Sequence, residues 1–171
     1  MLARKPKPAA NDEPTEADAD GRPIDFGPLD ERLGYILRRA QLAIFEDFIA
    51  TCRAHDIRPG QYSILTVIER NRGLSQTKVA GALGIKRPNF VAMIDAFEAR
   101  GLVRRVATPN DRRSHALFLT DNGKALMRKL HKAAAQHEMR IVALVGADMH
   151  KRMFGALAAI ASMGGGPDGG K

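Results

Sequence analysis

The stretch Leu74-Ser75-Gln76-Thr77-Lys78-Val79-Ala80-Gly81-Ala82-Leu83-Gly84-Ile85-Lys86-Arg87-Pro88-Asn89-Phe90 decides the fold. Ser75 has the chemistry of a helix N-cap, because its hydroxyl can accept a bond from an orphan backbone N–H of the first turn. Lys78 stands where a capping box would carry Glu, so only half of that signal is present. A short helix is expected from Ser75 through Leu83. Gly84 then supplies a tight turn, and Pro88 suits the first position of a second helix. Phe90, Met93/Ile94 and Phe97 recur at helical spacing as its inward stripe, and Gly101 ends it.

Downstream the period changes from helical to alternating. Leu102–Ala107 reads as a strand, Thr108-Pro109-Asn110-Asp111-Arg112-Arg113 as turn chemistry, and Ser114–Leu119 as the returning strand. Thr120 caps a long helix with Leu126, Leu130, Ala133/Ala134, His137, Ile141 and Leu144 on one side. Gly146 breaks it, and Met153/Phe154, Leu157 and Ile160/Ala161 mark a last helix. Upstream, Leu29, Leu33, Ile36/Leu37, Ala40, Ile44, Phe48 and Cys52 predict a long helix ending near His55. Pro59 opens another, continued by Tyr62, Leu65 and Ile68/Glu69 to about Asn71. Two short helices about a glycine turn, followed by a basic-tipped hairpin, describe a winged helix-turn-helix. The expected fold is mainly α with a small β-hairpin wing, flanked by further helices.

The chain has 171 residues, room for one ordinary domain with tails. Residues 1–28 hold five of the nine prolines and little that is large and apolar, so they read as a disordered tail. Residues 164–171 read as a flexible one, which leaves residues 29–163 as the folded part. Hydrophobic residues make up 44%, enough for a packed core. No apolar run reaches the roughly 18 residues of a membrane span, and no apolar segment follows the N-terminal Met1-Leu2-Ala3. One cysteine forms no internal disulfide, and no Cys/His spacing suggests zinc. The expected compartment is the cytoplasm.

Lys and Arg number 27 against 19 Asp and Glu, a net charge of +8. Residues 1–22 carry four basic and five acidic side chains, and residues 23–71 six and seven, so each block is −1. Residues 72–115 carry nine and three, giving +6, and residues 116–171 carry eight and four, giving +4. The excess is focused on the helix-turn-helix and hairpin, where it suits a polyanion rather than a membrane surface. A helix of this kind has the diameter to enter a major groove, and a hairpin can reach adjacent phosphates or the minor groove. Lys86, Arg87 and Asn89 open the candidate reading helix. There Asn89 can pair with adenine and Arg87 with guanine. Gln76 and Lys78 sit at a helix N-terminus that can position phosphate. Arg104 and Arg105 alternate to opposite sides of the first strand, so phosphate binding and a solvated face weigh equally for them.

Leu74–Ala80, then Arg100-Gly101-Leu102-Val103-Arg104-Arg105, then Asp111-Arg112-Arg113-Ser114-His115-Ala116-Leu117-Phe118-Leu119-Thr120, resemble the MarR family of bacterial transcription regulators. The wing pattern Asp-x-Arg followed by Leu-x-Leu-Thr is its most specific part, and Asn122-Gly123 also fits. The resemblance covers residues 29–163. It implies dimerisation helices at 29–55 and 121–163 around a winged helix-turn-helix at 58–120. It also implies a homodimer on a pseudopalindromic operator in double-stranded DNA, and repression relieved by a small, often aromatic, anion. By position, Asp111 would brace the wing, Arg113 would enter the minor groove and Arg112 would contact phosphate. The reading helix departs from the family habit, with Pro88, Asn89, Val91 and Ala92 where many relatives carry Ser, Thr and a later Thr or Arg.

The family's ligand cleft is walled by the first two helices, which here carry Ile44, Phe48, Tyr62 and Leu65. Arg38 and Arg39 are the nearest cationic handles for a carboxylate or a coenzyme A phosphate. Those aromatic and aliphatic residues equally suit an ordinary core. Cys52, late in its helix and on the apolar stripe, reads as an inert buried thiol rather than a redox sensor. His137 reads as a hydrogen-bonded core or interface histidine. No pattern of catalytic residues stands out and no cofactor is implied. Two other readings stay open: an architectural DNA-binding protein without effector, and a basic module that binds an acidic protein. Arg113→Ala is expected to weaken duplex binding by roughly 1–3 kcal/mol without unfolding the protein. A fluorescence anisotropy titration showing unchanged affinity would remove the wing from DNA binding.

Overall fold

The Ser75 hydroxyl accepts from the Lys78 backbone N–H at 3.4 Å, and the helix it caps, α3, spans Gln76–Ala82. In the computed structural model, residues 21–22, 24–108 and 111–163 are described, apart from the side chains of residue 108 and of residues 111–114. Most of the expected tail over 1–28, and all of that over 164–171, lies outside the described residues. The remaining elements are α1 (Leu33–Cys52), α2 (Pro59–Arg70), α4 (Arg87–Ala99), β1 (Val103–Thr108), β2 (Asp111–Leu119), α5 (Asp121–Val145) and α6 (Ala147–Ser162). The order is mainly helical with one antiparallel hairpin, as the periodicity predicts.

The chain divides into two compact units, Met1–Leu42 and Ala43–Lys171, the division falling within α1. In the first unit, a 3₁₀ turn at Gly27–Glu31 precedes α1, and Arg32 between them is extended. The single helix expected from Leu29 is therefore broken, because a 3₁₀ turn carries Leu29 and Leu33 at nearly the same spacing as an α-helix. The Phe26 and Tyr35 rings meet at 5.8 Å.

The second unit holds the core. Ile64, Leu65 and Ile68 of α2, Val79 of α3, Phe90, Ile94 and Phe97 of α4, Leu117 of β2, and Met127 and Leu130 of α5 are all fully or almost fully buried. Each such side chain contributes about 1.5–3 kcal/mol by leaving water. Pro59 occupies the first turn of α2, where Gln61 accepts from the Arg58 backbone N–H at 2.9 Å. Gly84 takes φ +62 in the α3–α4 turn, a conformation that costs an L side chain about 1 kcal/mol or more. The α4 helix begins one residue earlier than expected, with Pro88 in its second position. Proline is tolerated there too, since the first-turn N–H groups have no intrahelical acceptor.

Three further places differ from the sequence reading. β2 begins at Asp111, within the residues read as turn. Its register jumps from Ala107↔His115 to Thr108↔Asp111, so residues with turn propensity are carried into the ladder. Leu144, expected on the same side of α5 as Leu126 and Leu130, is 85% exposed, while Met127 takes a core position. The first helix tightens to 3₁₀ over Arg53–His55, and Asp56 turns the chain with φ +48.

Main-chain bonds lock the hairpin to the helix-turn-helix. Leu117 N–H donates to the Leu74 carbonyl at 2.9 Å, and Gly73 N–H to the Leu117 carbonyl at 3.1 Å. At the hairpin's other connection Thr120 caps α5. Its hydroxyl donates to the Gly101 carbonyl at 2.6 Å and accepts from Gly123 N–H at 3.0 Å. A Cβ on Gly123 would overlap the Leu102 carbonyl oxygen, so only glycine lets α5 approach this closely. α1 is pinned to α5 by Asp47. It meets His137 Nδ1 at 2.5 Å and accepts from Arg140 Nε at 3.1 Å. Those bonds, Arg140's first, hold the Asp47 carboxyl below its ordinary range. Gly123→Ala is expected to destabilise the fold by about 1–3 kcal/mol. Gly81→Ala, in open space at an ordinary helical position, is expected to be neutral or stabilising by up to about 1 kcal/mol. Urea denaturation of both variants checks the pair, and an unaffected Gly123→Ala protein would refute the close approach.

Candidate nucleic-acid interface

α4 presents its first turn to solvent, with Lys86 as N-cap and Lys86, Arg87 and Asn89 all exposed. Phe90, Ile94 and Phe97 anchor the opposite face. The stripe spacing therefore turns the three polar side chains outward together. Val91 and Ala92 are exposed beside them, which leaves an apolar surface suited to a thymine methyl rather than to further hydrogen bonds. On α3, Lys78 is exposed and Gln76 half-buried. A cleft of about 250 Å³ opens between the two helices, lined among others by Gln76, Thr77, Arg87, Phe90, Val91 and His115.

The two arginines of β1 do different work. Arg104 is exposed and lies over the Phe118 ring, 4.9 Å from its centroid. Arg105 points to the other face, where its side chain is only 18% exposed. There it pairs with Asp95 at 2.7 Å and with Glu98, both on α4, and reaches Gln76 Oε1 at 3.4 Å. Glu98 also accepts from the Arg105 backbone N–H at 2.9 Å. Arg105 thus fixes α4 against β1, and its charge is answered within the chain. Strand alternation predicted the split between the two arginines. The carboxylates on α4 were missed, although Asp95 and Glu98, three apart on one helix face, are a sequence signal for such a pair. The side chains of Asp111, Arg112 and Arg113 lie outside the described residues.

The residues expected around a ligand fall in both compact units. Arg38 and Arg39 are exposed on α1, within the first unit. In the second unit Leu65 is fully buried and Phe48 is 7% exposed, so both serve as core. Tyr62 packs on Phe48 with ring centroids 5.4 Å apart. Its hydroxyl meets His131 Nδ1 at 3.0 Å, and His131 Nε2 meets Glu69 at 2.7 Å. Ile44, by contrast, lines an apolar cleft of about 210 Å³ with Ile141, His150, Met153, Phe154 and Leu157. The α6 side of that cleft is open, since Met149, Met153, Phe154 and Leu157 are exposed. His137 is buried and hydrogen-bonded, as its place on the apolar side predicts. Cys52 is completely buried, and burial pushes its thiol up, away from the reactive thiolate. Among the described residues no group of three His, Cys, Asp or Glu side chains is placed to hold a metal ion. No described helix is long and apolar enough to cross a membrane.

Comparison with known proteins bears on this geometry. The MarR family model matches residues 57–115, the helix-turn-helix and hairpin. The protein assigned as transcriptional regulatory protein for the hcr operon of Thauera aromatica is 32% identical over 123 residues. That alignment covers 71% of this chain and 74% of the relative. The chain belongs to the MarR family. Among solved MarR-family structures it is similar to the transcriptional repressor CouR bound to a 23-mer DNA duplex, with 47% identity and a TM-score of 0.78. The match covers 81% of this chain and 98% of that one. CouR bound to p-coumaroyl-CoA matches at 44% identity and a TM-score of 0.76, over 81% and 97% of the two chains. The regulator PcaV from Streptomyces coelicolor, in complex with its natural ligand, is 25% identical with a TM-score of 0.71, over 81% and 98%. These MarR-family relatives are transcription regulators rather than enzymes.

The brace and the outward arginine separate by experiment. Arg105→Ala is expected to cost about 1–3 kcal/mol of stability in urea denaturation, because it strands Glu98 without its partner. Arg104→Ala is expected to cost no more than about 1 kcal/mol, the scale of an exposed cation–π contact. The reverse order would contradict the brace.

Proposed function

We propose that this chain is a cytoplasmic, homodimeric, sequence-specific repressor that leaves its operator when an aromatic acid or its CoA thioester binds. The observation that carries the DNA-binding part is the outward set Lys86, Arg87 and Asn89 on a helix whose other face is anchored in the core. Such a helix enters the major groove with its first turn on base edges, while Lys78 and Gln76 meet phosphate. Arg112 and Arg113 extend the contact along the hairpin, Asp111 steadies its tip, and Arg105 sets the angle between hairpin and helix. The family match and the 47% identity to a repressor seen on a duplex support this reading.

Dimerisation is supported by apolar side chains left in solvent. Leu33, Ile36 and Leu37 on α1 are exposed within the first unit, and Met149, Met153, Phe154 and Leu157 on α6 within the second. A monomer gains nothing from such faces, whereas a second copy buries them. We assign residues 29–55 and 121–163 to dimerisation and 58–120 to the winged helix-turn-helix. The effector reading rests on the relative that binds p-coumaroyl-CoA. Ile44 and Tyr62 of the second unit are the residues of this chain proposed to meet such a ligand.

The test is a footprint of the full-length protein on the DNA flanking its own gene, followed by titration with p-coumaroyl-CoA, p-coumarate and hydroxybenzoate. One sharp footprint that at least one of these removes is the expected result. Uniform protection would indicate an architectural protein, and a sharp footprint that none of them loosens would overturn the aromatic-effector part alone.

A further inference from the structure

Arg104 leaves the α4 side of the hairpin for the opposite face, and there it does not stand alone. Arg72 lies in the turn after α2, and Lys124 and Arg128 lie one helical turn apart near the start of α5. Together with Arg104 they line two adjoining clefts that share Arg72, Leu119 and Lys124. The clefts measure about 320 and 410 Å³. Phe118 and Leu119 form a partly apolar floor. The acidic groups on this face are already engaged. Glu69 meets His131 at 2.7 Å, and Asp121 pairs with Lys124 at 2.8 Å, which pulls the Asp121 carboxyl below its ordinary range. Among the described residues Arg72, Arg104 and Arg128 have no acidic partner. Three guanidinium groups without acidic partners around a concave, partly apolar trough raise the local positive potential and favour an anion there.

The position of the trough separates it from a duplex held by the reading helix. In the ladder Arg104 faces Phe118 and Thr108 faces Asp111, so the trough sits at the root of the hairpin, far from its tip. At about 3.3 Å per residue the four steps from Arg104 to Thr108 span roughly 13 Å. The trough also lies on the hairpin face turned away from Asp95 and Glu98 of α4, the face opposite Arg105. A volume of a few hundred Å³ suits a compact anion of small-molecule size. Guanidinium forks favour phosphate oxygens in pairs, and the Arg104 plane over the Phe118 ring offers its outer face to a flat base.

We propose that Arg72, Arg104, Lys124 and Arg128 form a binding site for the phosphates of a small phosphorylated ligand of nucleotide type. The site is separate from the DNA-reading surface and does not depend on the repressor reading. Isothermal titration of the full-length protein with inorganic pyrophosphate and with adenosine 3′,5′-bisphosphate at about 150 mM salt is the test. Saturable binding of one ligand per chain is expected, tighter for the nucleotide than for pyrophosphate. The double variant Arg72→Gln/Arg128→Gln should lower affinity at least tenfold, while Arg87→Gln leaves it unchanged. Circular dichroism checks that the double variant is folded, and Lys124→Gln, beside the same trough, provides an independent loss. Absence of saturable binding, or binding indifferent to Arg72, Lys124 and Arg128, would overturn the proposal. So would a double variant that loses duplex affinity while neither phosphate probe binds the parent protein, since the trough would then be part of the DNA contact.

Discussion

Arg105 ties the recognition machinery together. A DNA-reading head needs its helix and its hairpin at one fixed angle, because each must meet a different part of the same rigid duplex. Backbone hydrogen bonds alone join the hairpin to the α2–α3 turn through Leu74 and Leu117. At the α4–β1 turn Leu102 N–H donates to the Phe97 carbonyl at 2.9 Å, and beyond that turn the angle toward α4 is left to side chains. Arg105 supplies it by holding Asp95 and Glu98, one turn apart on α4, from a strand position that is mostly shielded from water. Shielding makes the pair with Glu98 more directional than a surface ion pair, and leaving that carboxylate alone would be costly. The same alternation that turns Arg105 inward turns Arg104 outward, so one strand stabilises the head on one face and presents charge on the other.

Much of this was legible in the sequence for a simple reason. Ser75, Gly84, Gly101, Thr120 and Gly146 act through local backbone chemistry, which needs no knowledge of tertiary contacts. The inward stripe Phe90, Ile94 and Phe97 likewise follows from helical spacing, and it fixes by subtraction that Lys86, Arg87 and Asn89 face out. What escaped were features set by partners distant in sequence. Asp47 with His137 and Arg140, Tyr62 with His131 and Glu69, and the meeting of Arg72 with Lys124 and Arg128 all join residues tens of positions apart. Periodicity places each on a face but does not say which faces meet. Leu144, on the same apolar side of α5 as Leu130, stays in solvent in the single chain.

Local geometry also explains why the ends of elements were read less well than their middles. A 3₁₀ turn before α1 and another after it carry nearly the same apolar spacing as the helix itself. The β2 strand absorbs residues with turn propensity because pairing with β1 outweighs their local preference.

α5 spans 25 residues, from a cap that grips the hairpin's base to the glycine before α6. At 1.5 Å per residue this is a rod of about 37 Å, close to one turn of B-DNA. Its root is clamped by Thr120 and by the bare Cα of Gly123 against Leu102, with no flexible linker between rod and wing. The protein therefore contains a lever. A tilt of about 5° at the distal end carries the hairpin root through roughly 3 Å, the scale of a single hydrogen-bond length. Small repacking far from the reading helix is enough to move the head out of register with a groove.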